Sequence, residues 1–297
     1  MKKYTFLLLL LIYTMISCSS MKSKKNIAID YYNLGNNYFQ LKEYDKAATS
    51  FEKALEYDPN SEETILNLLL SYQYDKKYVK VENQILKYFK KVNNDFTKKL
   101  LLMLGNNYYL QEKYDKAIKA YTEYKEIYPE DIDCYFNLGL TYTKIANEKK
   151  ALESFIEAYK INSKHLPVIY NLADYYYNHD DLQNSLYYFL LLNELDNKNP
   201  EVSYRLADIE YKIEEYEEAK KHLLQAIEID STNNTYYLLL AKIYSKGYKD
   251  KKKTLEALEN TLKNGFKDFD KIQKMDEFLI LKEYDEYKKL FKKYEIK

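Results

Sequence analysis

Glycine, proline, histidine and cysteine are all scarce in this chain of 297 residues. Five glycines and four prolines leave little room for loops, which predicts an almost entirely helical fold with short turns. The glycines are scattered, so none belongs to a phosphate-binding loop or to a GxSxG nucleophile motif. These absences exclude the usual sequence signatures of nucleotide-binding and hydrolytic enzymes.

The histidines form no recognised metal-binding motif. The three histidines, His165, His179 and His222, do not pair at the spacing of a motif such as HExxH. His179 precedes two aspartates, and this group is either a weak metal site or a solvent-exposed turn, for which aspartate is typical. We take it as a turn and predict a non-enzymatic protein with no metal, cofactor or catalytic residue.

Net charge and arginine are also lacking. Lysine and arginine number 46, aspartate and glutamate also number 46, and Arg205 is the only arginine. Balanced charge argues against a nucleic-acid partner, although lysines and tyrosines alternate in places. The chain has no tryptophan but 36 tyrosines. The abundance of tyrosine, lysine and asparagine is typical of an AT-rich genome.

What the chain does contain is a recurring pattern. Leu34-Gly35, Leu104-Gly105 and Leu138-Gly139 mark the same position in three copies, and the last two copies lie 34 residues apart. Within a copy, apolar residues recur at helical spacing in two segments, as in 28–41 and 44–57, with two residues between them. Each copy therefore predicts two antiparallel helices joined by a tight turn.

The small residues of each copy have a packing role. Glycine within a helix costs about 0.5–1 kcal/mol relative to alanine, so its recurrence indicates a close helix contact. Gly35 and Ala47 are expected to allow that contact, and Pro59 to end the second helix. The residues expected to fill the space around the contact are Leu34, Tyr38 and Phe51.

This pattern resembles the tetratricopeptide repeat (TPR) family. With copies starting at 28, 62, 98, 132, 166, 200 and 234, leucine stands at the seventh position of every copy. The resemblance implies an all-α superhelical solenoid of about seven repeats over 28–267, each stabilised by its neighbours. A lysine-rich insertion at 246–251 precedes a second helix expected near 255–262. Residues 268–297 lack the pattern and are expected to form capping helices.

The first residues resemble a bacterial lipoprotein signal. A basic start and the apolar run 6–16 lead into Met15-Ile16-Ser17-Cys18, which is similar to a lipobox. We predict a signal peptide at 1–17, a lipidated Cys18 and a polar tether over 18–27. The alternatives are an uncleaved helical anchor and an ordinary signal peptide. Lipidation would leave Cys134 as a single thiol, expected to be a partly buried helix residue.

The resemblance also implies a partner-binding groove. In TPR proteins the first helices line a concave face, to which the fifth, sixth, ninth and twelfth positions tend to point. The candidate groove residues are Tyr32, Asn36, Asn67, Asn106, Tyr109, Phe136, Asn137, Tyr170, Asn171, Asp174, Tyr177, Tyr204, Arg205 and Tyr211. Tyrosine with asparagine suits peptide binding, and the alternative is that asparagine mainly orders the helix surface. Tyr32 and Met103 replace a lysine and the arginine of the carboxylate-binding TPR mode, so that mode is not predicted.

Together these features predict an exported, lipid-anchored scaffold that binds a protein or peptide at the bacterial cell envelope. Ser19, where aspartate would retain some lipoproteins at the inner membrane, favours the outer membrane facing the periplasm. The alternative is a dedicated assembly factor, for outer-membrane β-barrels or as a type IV pilus pilotin. Arg205 is expected either to bind an acidic partner or to pair with Asp174 or Asp208.

Overall fold

The computed structural model describes residues 24–89 and 95–295, and all regular structure in them is helical. The helices are α1 (24–40), α2 (Tyr44–Tyr57), α3 (Glu62–Tyr74), α4 (Tyr78–Phe89), α5 (Asp95–Leu110), α6 (Tyr114–Ile127), α7 (Ile132–Lys144), α8 (Glu148–Ile161), α9 (Leu166–Asn178), α10 (Leu182–Leu195), α11 (Pro200–Lys212), α12 (Tyr216–Ile229), α13 (Asn234–Lys246), α14 (Lys251–Lys263), α15 (Phe269–Gln273), the 3₁₀ helix η1 (Asp276–Leu281) and α16 (Asp285–Glu295). None of the helices in these ranges is both long and apolar enough to cross a membrane.

The predicted all-α fold of helix–turn–helix repeats is confirmed. Helices α3, α7, α9, α11 and α13 begin at the residues expected as repeat starts. Helix α5 begins at Asp95, three residues before the expected start. Residues 24–27, assigned to the polar tether, belong instead to α1. Helix α14 begins at Lys251, so the expected insertion is a short link of residues 247–250.

The described residues divide into two compact units, one up to Ala151 and one from Leu152, with the boundary inside α8. In the first unit, one apolar cluster surrounds Phe51 and Leu69, and another surrounds Tyr121. In the second unit, one cluster surrounds Phe189 and another surrounds Leu258. Each cluster joins side chains from consecutive helices, as nearest-neighbour packing of repeats requires.

The close helix contact predicted for the glycines is present. A Cβ atom added to Gly35 would lie 2.6 Å from the ring of Phe51 on α2. A Cβ atom added to Gly105 would likewise overlap the ring of Tyr121 on α6. Cβ atoms do not approach carbon this closely, so the aromatic rings occupy space that only glycine leaves free.

The turns within the first six repeats share one backbone conformation, and the turn of the seventh repeat is one residue longer. In the fourth repeat Ala146 has φ +55°, and the N–H of Asn147 donates to the carbonyl of Tyr142 at 2.9 Å. The other turn residues with positive φ are Lys42, Lys76, Glu112, Asp180, Glu214 and Lys249. Helices commonly end with a left-handed residue, and the N–H of the next residue then donates to a carbonyl five residues earlier. This hydrogen bond satisfies a carbonyl of the last helical turn that would otherwise lack a partner.

A lysine on the second helix covers a tyrosine on the first in five repeats. The Lys116 ammonium lies 5.3 Å from the centre of the Tyr108 ring, and Lys150 lies 5.4 Å from Tyr142. The same pairing joins Tyr38 to Lys46, Tyr72 to Lys80 and Tyr244 to Lys253. A cation over an exposed aromatic ring contributes roughly 0.5–1 kcal/mol, so these pairs help to hold each repeat closed.

The seventh-position leucines are buried, with one exception that corrects the prediction for Leu34. Leu172 and Leu206 are fully buried, whereas Leu34 is 40% exposed. The seventh position faces the preceding repeat in a stack, and no helix among the described residues precedes α1. Leu34 therefore does not fill the contact within its own repeat.

The terminal segment packs on the last repeat, although its middle part is a 3₁₀ helix rather than an α-helix. After the short α15, the 3₁₀ helix η1 contacts α13, and α16 contacts α14. Phe278, Leu281 and Phe291 are buried in the cluster around Leu258. The segment thus stands where the first and second helices of a further repeat would pack.

Candidate partner-binding surface

Two pairs of asparagines bridge consecutive repeats in the first unit. The Asn67 side-chain N–H donates to Asn36 Oδ1 at 3.2 Å and to the Tyr32 hydroxyl at 3.2 Å. The Asn137 side-chain N–H donates to Asn106 Oδ1, also at 3.2 Å. In both pairs the sixth position of one repeat bonds the ninth position of the repeat before it. The sequence placed all five residues in the groove, but it did not show that the asparagines pair.

A cavity of about 250 Å³ lies beside the second asparagine pair. Its lining consists of Asn106, Tyr109, Leu110, Tyr121, Asn137 and Leu140. The Tyr121 hydroxyl donates to Asn106 Oδ1 at 2.6 Å, and burial raises the pKa of Tyr121. Phe136, the remaining candidate of this unit, is half-buried on α7 next to Asn137.

Aromatic side chains accompany the asparagines. The Tyr109 ring meets the Tyr114 ring edge-on at 5.8 Å, and Phe39 meets Tyr44 in the same way at 5.3 Å. Tyr74 stacks on Tyr44 at 5.1 Å and is 58% exposed. Tyr44, Tyr74 and Tyr114 were not among the groove residues predicted from the sequence. The sequence does carry a signal for Tyr44 and Tyr114, because each follows the aromatic residue at the twelfth repeat position by five residues.

In the second unit, Arg205 is engaged by its own chain. Its Nε donates to Glu201 Oε1 at 2.9 Å, and its guanidinium lies 4.0 Å from Asp174 and over the Tyr177 ring at 5.1 Å. Asp174 is one of the two intramolecular partners that the sequence predicted for Arg205. The closest partner, Glu201, was not expected, because the analysis considered only Asp174 and Asp208.

Tyr177 and Asn171 are likewise occupied. The Tyr177 hydroxyl donates to Asp208 and accepts from the Lys212 ammonium at 2.5 Å. Burial and the Asp208 carboxylate together raise the pKa of Tyr177. The Asn171 side chain donates to the carbonyl of Pro167 on its own helix at 2.7 Å. The Tyr177 hydroxyl and one amide N–H of Asn171 are therefore bonded within the chain.

The remaining candidates of this unit are also packed. Tyr170 meets the Phe189 ring edge-on at 6.0 Å. Tyr204 lies against Tyr236, and burial raises its pKa to about 12. The Tyr211 hydroxyl donates to Glu277 of η1 at 3.3 Å. The terminal segment thus covers the twelfth position of the sixth repeat, which the sequence placed in the groove.

Titratable side chains form no apparent reaction centre in the described ranges. No group of three or more histidine, cysteine or acidic residues there is arranged to hold a metal ion. Cys134 is fully buried rather than partly buried, and burial raises the pKa of its thiol to about 12. His222 Nδ1 lies 2.8 Å from the buried carboxylate of Glu210, a pair that the sequence analysis did not find. Cys18 lies outside the described residues.

Comparison with known proteins identifies the repeat. One family model described as tetratricopeptide repeat matches residues 28–61 and 99–131. A second model with the same description matches 132–165 and 200–233. The chain is a tetratricopeptide repeat protein. The matched TPRs are the first, third, fourth and sixth copies of the sequence pattern, and each corresponds to a helix pair in the structure.

Solved structures agree with the TPR fold. The C-terminal part of a TPR repeat-containing protein from Cytophaga hutchinsonii has a TM-score of 0.64 and 19% identity, covering 82% of this chain and 98% of that chain. A MamA crystal structure has a TM-score of 0.53 and 18% identity over 58% of this chain and 93% of MamA. MamA from Desulfovibrio magneticus RS-1 has a TM-score of 0.52 and 13% identity, covering 60% and 97%. No curated protein matches the chain.

Proposed function

We propose that this TPR protein is an exported, lipid-anchored and non-enzymatic scaffold at the bacterial cell envelope. Its partner is a protein or peptide that binds the first helices of the repeats. The observation that carries the binding role is the asparagine pair of α5 and α7. Asn106 Nδ2 and Asn137 Oδ1 have no hydrogen-bond partner among the described residues, so the amide N–H groups of Asn106 and the amide oxygen of Asn137 are available beside a cavity.

The anchor is supported by Cys18, which follows an apolar run and a small residue as in a lipobox. Replacing Cys18 by alanine is expected to release the protein into the soluble exported fraction and to abolish labelling by a fatty-acid analogue. Two or three acyl chains hold a protein firmly, so the wild type should stay in the membrane fraction. Unchanged attachment of Cys18→Ala would instead indicate an uncleaved helical anchor.

The binding role is testable in cells before the partner is known. A photo-reactive amino acid at position 109, beside the asparagine pair, is expected to cross-link a specific protein. The matched control is position 119 on α6, where Lys119 has an exposed side chain. Equal cross-linking from both positions, or none from position 109, would argue against binding at the first helices.

A further inference from the structure

We propose that the outer face of α10, the second helix of the fifth repeat, binds an amphipathic helix of another protein that carries basic residues at both ends. We call this face, with the tyrosines beside it, the tyrosine-leucine patch. It is defined by Tyr159, Tyr176, Tyr187, Tyr188, Leu190 and Leu191. None of these residues belongs to the predicted groove of the first helices, so the patch is a second interaction surface.

Helix α10 differs from the other second helices because it is almost uncharged. Its fourteen residues include one charged side chain, that of Glu194. The other second helices of the repeats each carry three to six charged residues. A helix on the surface of a protein normally turns a charged face to water, and α10 has no such face.

The apolar side chains on the outer face of α10 are exposed together rather than singly. Tyr187 is 56% exposed and Leu190 is 42% exposed. Residues three and four positions away are neighbours on a helix surface, and for Tyr187 all four of them are uncharged. Leu224 on α12 is 45% exposed as well, but two lysines and a glutamate stand at those distances from it. Contiguous exposed apolar surface is typical of interaction sites, whereas a single exposed residue is not.

Tyrosines from the two preceding helices widen the patch. The Tyr188 ring stacks on Tyr176 of α9 at 5.7 Å and meets Tyr159 of α8 edge-on at 5.5 Å. The Tyr187 ring meets Tyr188 edge-on at 5.1 Å. Rings that already contact one another lose little further freedom when a partner covers them, and tyrosine is among the residues that contribute most to binding at interfaces.

The scarcity of polar side-chain groups decides the conformation of the partner. Within the patch, the tyrosine hydroxyls are the only side-chain groups able to form hydrogen bonds. An extended peptide would bury backbone N–H and C=O groups here without enough partners, which costs free energy. A helix satisfies its own backbone groups and presents a stripe of apolar side chains. The bound segment is therefore helical.

The charges at the two ends of α10 decide which helix fits. Asp180 and Asp181 lie at its beginning, and Glu194 and Asp196 lie at its end. Between positions 180 and 198 the only basic residue is Lys198. A partner helix with lysine or arginine at both ends is complementary to this pattern. A second copy of α10 would bring acidic ends together, and an anionic membrane would also repel them.

The test uses the full chain with Cys18→Ser, so that no acyl chain contributes to binding, and a displayed library of helices. The library keeps a helical framework and randomises one face and both ends. Enriched helices are synthesised and titrated against the parent chain and the variants Leu190→Gln and Glu194→Lys. The matched control is Leu224→Gln, because Leu224 has a similar exposure on the second helix of the next repeat. Circular dichroism spectra establish that each variant keeps its helix content.

We expect the enriched helices to share an apolar stripe with lysine or arginine at both ends. Their affinity should fall at least about tenfold in Leu190→Gln, fall by a smaller factor in Glu194→Lys and change less than about twofold in Leu224→Gln. Enriched helices with acidic ends, an equal loss in Leu224→Gln, or a library that yields no binding helix would overturn the proposal.

Two further measurements test the other possible occupants of the patch. Sedimentation should show no self-association that depends on Leu190, and a dimer abolished by Leu190→Gln would instead assign the patch to a second copy. Vesicles of phosphatidylcholine and phosphatidylglycerol should not bind through the patch, and binding lost in Leu190→Gln would assign it to a membrane. Either result would overturn the proposal and leave binding at the first helices unaffected.

Discussion

Tyrosine is used at fixed repeat positions. At the eleventh position, Tyr108 and Tyr142 each accept a lysine over the ring, and their carbonyls close the turn that follows. In the sixth repeat this position is Glu210, and its buried carboxylate pairs with His222. An AT-rich genome would account for the frequency of tyrosine and lysine, whereas the packing explains why they stand at these positions.

Cys134 should be nearly inert in the folded protein. Its thiol is fully buried, donates to the Tyr121 carbonyl at 3.0 Å, and has its pKa raised to about 12 by burial. Because the thiolate is the reactive form, little is present at pH 8. In a Cys18→Ser background, we expect a thiol reagent to modify Cys134 at least about 100-fold more slowly in buffer than in denaturant. Similar rates in both conditions would contradict the burial.

Glu277 should make the last repeat sensitive to acid. Burial alone would raise its pKa, but a backbone N–H and the Lys242 ammonium at 3.1 Å lower it overall. A lowered folded-state pKa means that this carboxylate stabilises the fold above about pH 4.3 and ceases to do so as the pH falls through its folded value.

Replacing Glu277 by glutamine should therefore lower the free energy of unfolding at pH 7 and flatten its decline between about pH 5 and pH 3. The measurement is denaturant unfolding at several pH values. Glu283→Gln is the matched control, because Glu283 is an exposed carboxylate of the same terminal segment. Parallel pH profiles for wild type and Glu277→Gln would show that the Lys242 contact does not stabilise the cap.

At the scale of the helices, the turns of the first six repeats share one conformation, although their left-handed residues are of four types. The positive-φ residue is a lysine, a glutamate, an aspartate or an alanine, and never glycine. Left-handed backbone costs a residue with a Cβ roughly 1–2 kcal/mol. The turns are therefore formed at a local cost, which the helix packing on either side must offset.

Ala146→Gly should stabilise the fourth repeat by up to about 1 kcal/mol, because glycine adopts φ +55° freely. The greater freedom of glycine in the unfolded chain offsets part of the gain. The control is Lys149→Gly, on the exposed surface of α8, which should destabilise by about 1 kcal/mol. Thermal unfolding followed by circular dichroism measures both. A loss of stability in Ala146→Gly would show that the turn carries no strain.

At the scale of the whole molecule, packing is local in sequence. The apolar clusters join consecutive helices, and the second unit ends with the buried Phe278 and Phe291 of its terminal segment. In such an array, damage to one repeat weakens its neighbours before it reaches distant repeats. Local opening can then be followed repeat by repeat through hydrogen exchange.

Gly105→Ala should destabilise the first unit by roughly 1–3 kcal/mol, because the new methyl group would overlap the Tyr121 ring. Better helix propensity returns only about 0.5–1 kcal/mol of that loss. Hydrogen exchange should accelerate most over 95–142 and least over 234–291. Asn37→Ala, at an exposed helix position, is the control. Uniform acceleration along the chain would indicate one cooperative core.

The sequence by itself determined the repeat, because helical periodicity and the Leu-Gly spacing are properties of local chain geometry. The resemblance to the TPR family then predicted one shared surface for Asn106, Asn137 and Tyr109, because these repeat positions tend to face the concave side in that family. Only the tertiary structure decided which polar groups remain unused. Asn137 and Asn171 share a residue type and a repeat position, yet one bonds across repeats and the other bonds its own helix. The bond that each asparagine forms depends on the side chain beside it, which is Asn106 for Asn137. Hydrogen-bond partners that come from different helices are not encoded in the residue spacing of either helix alone.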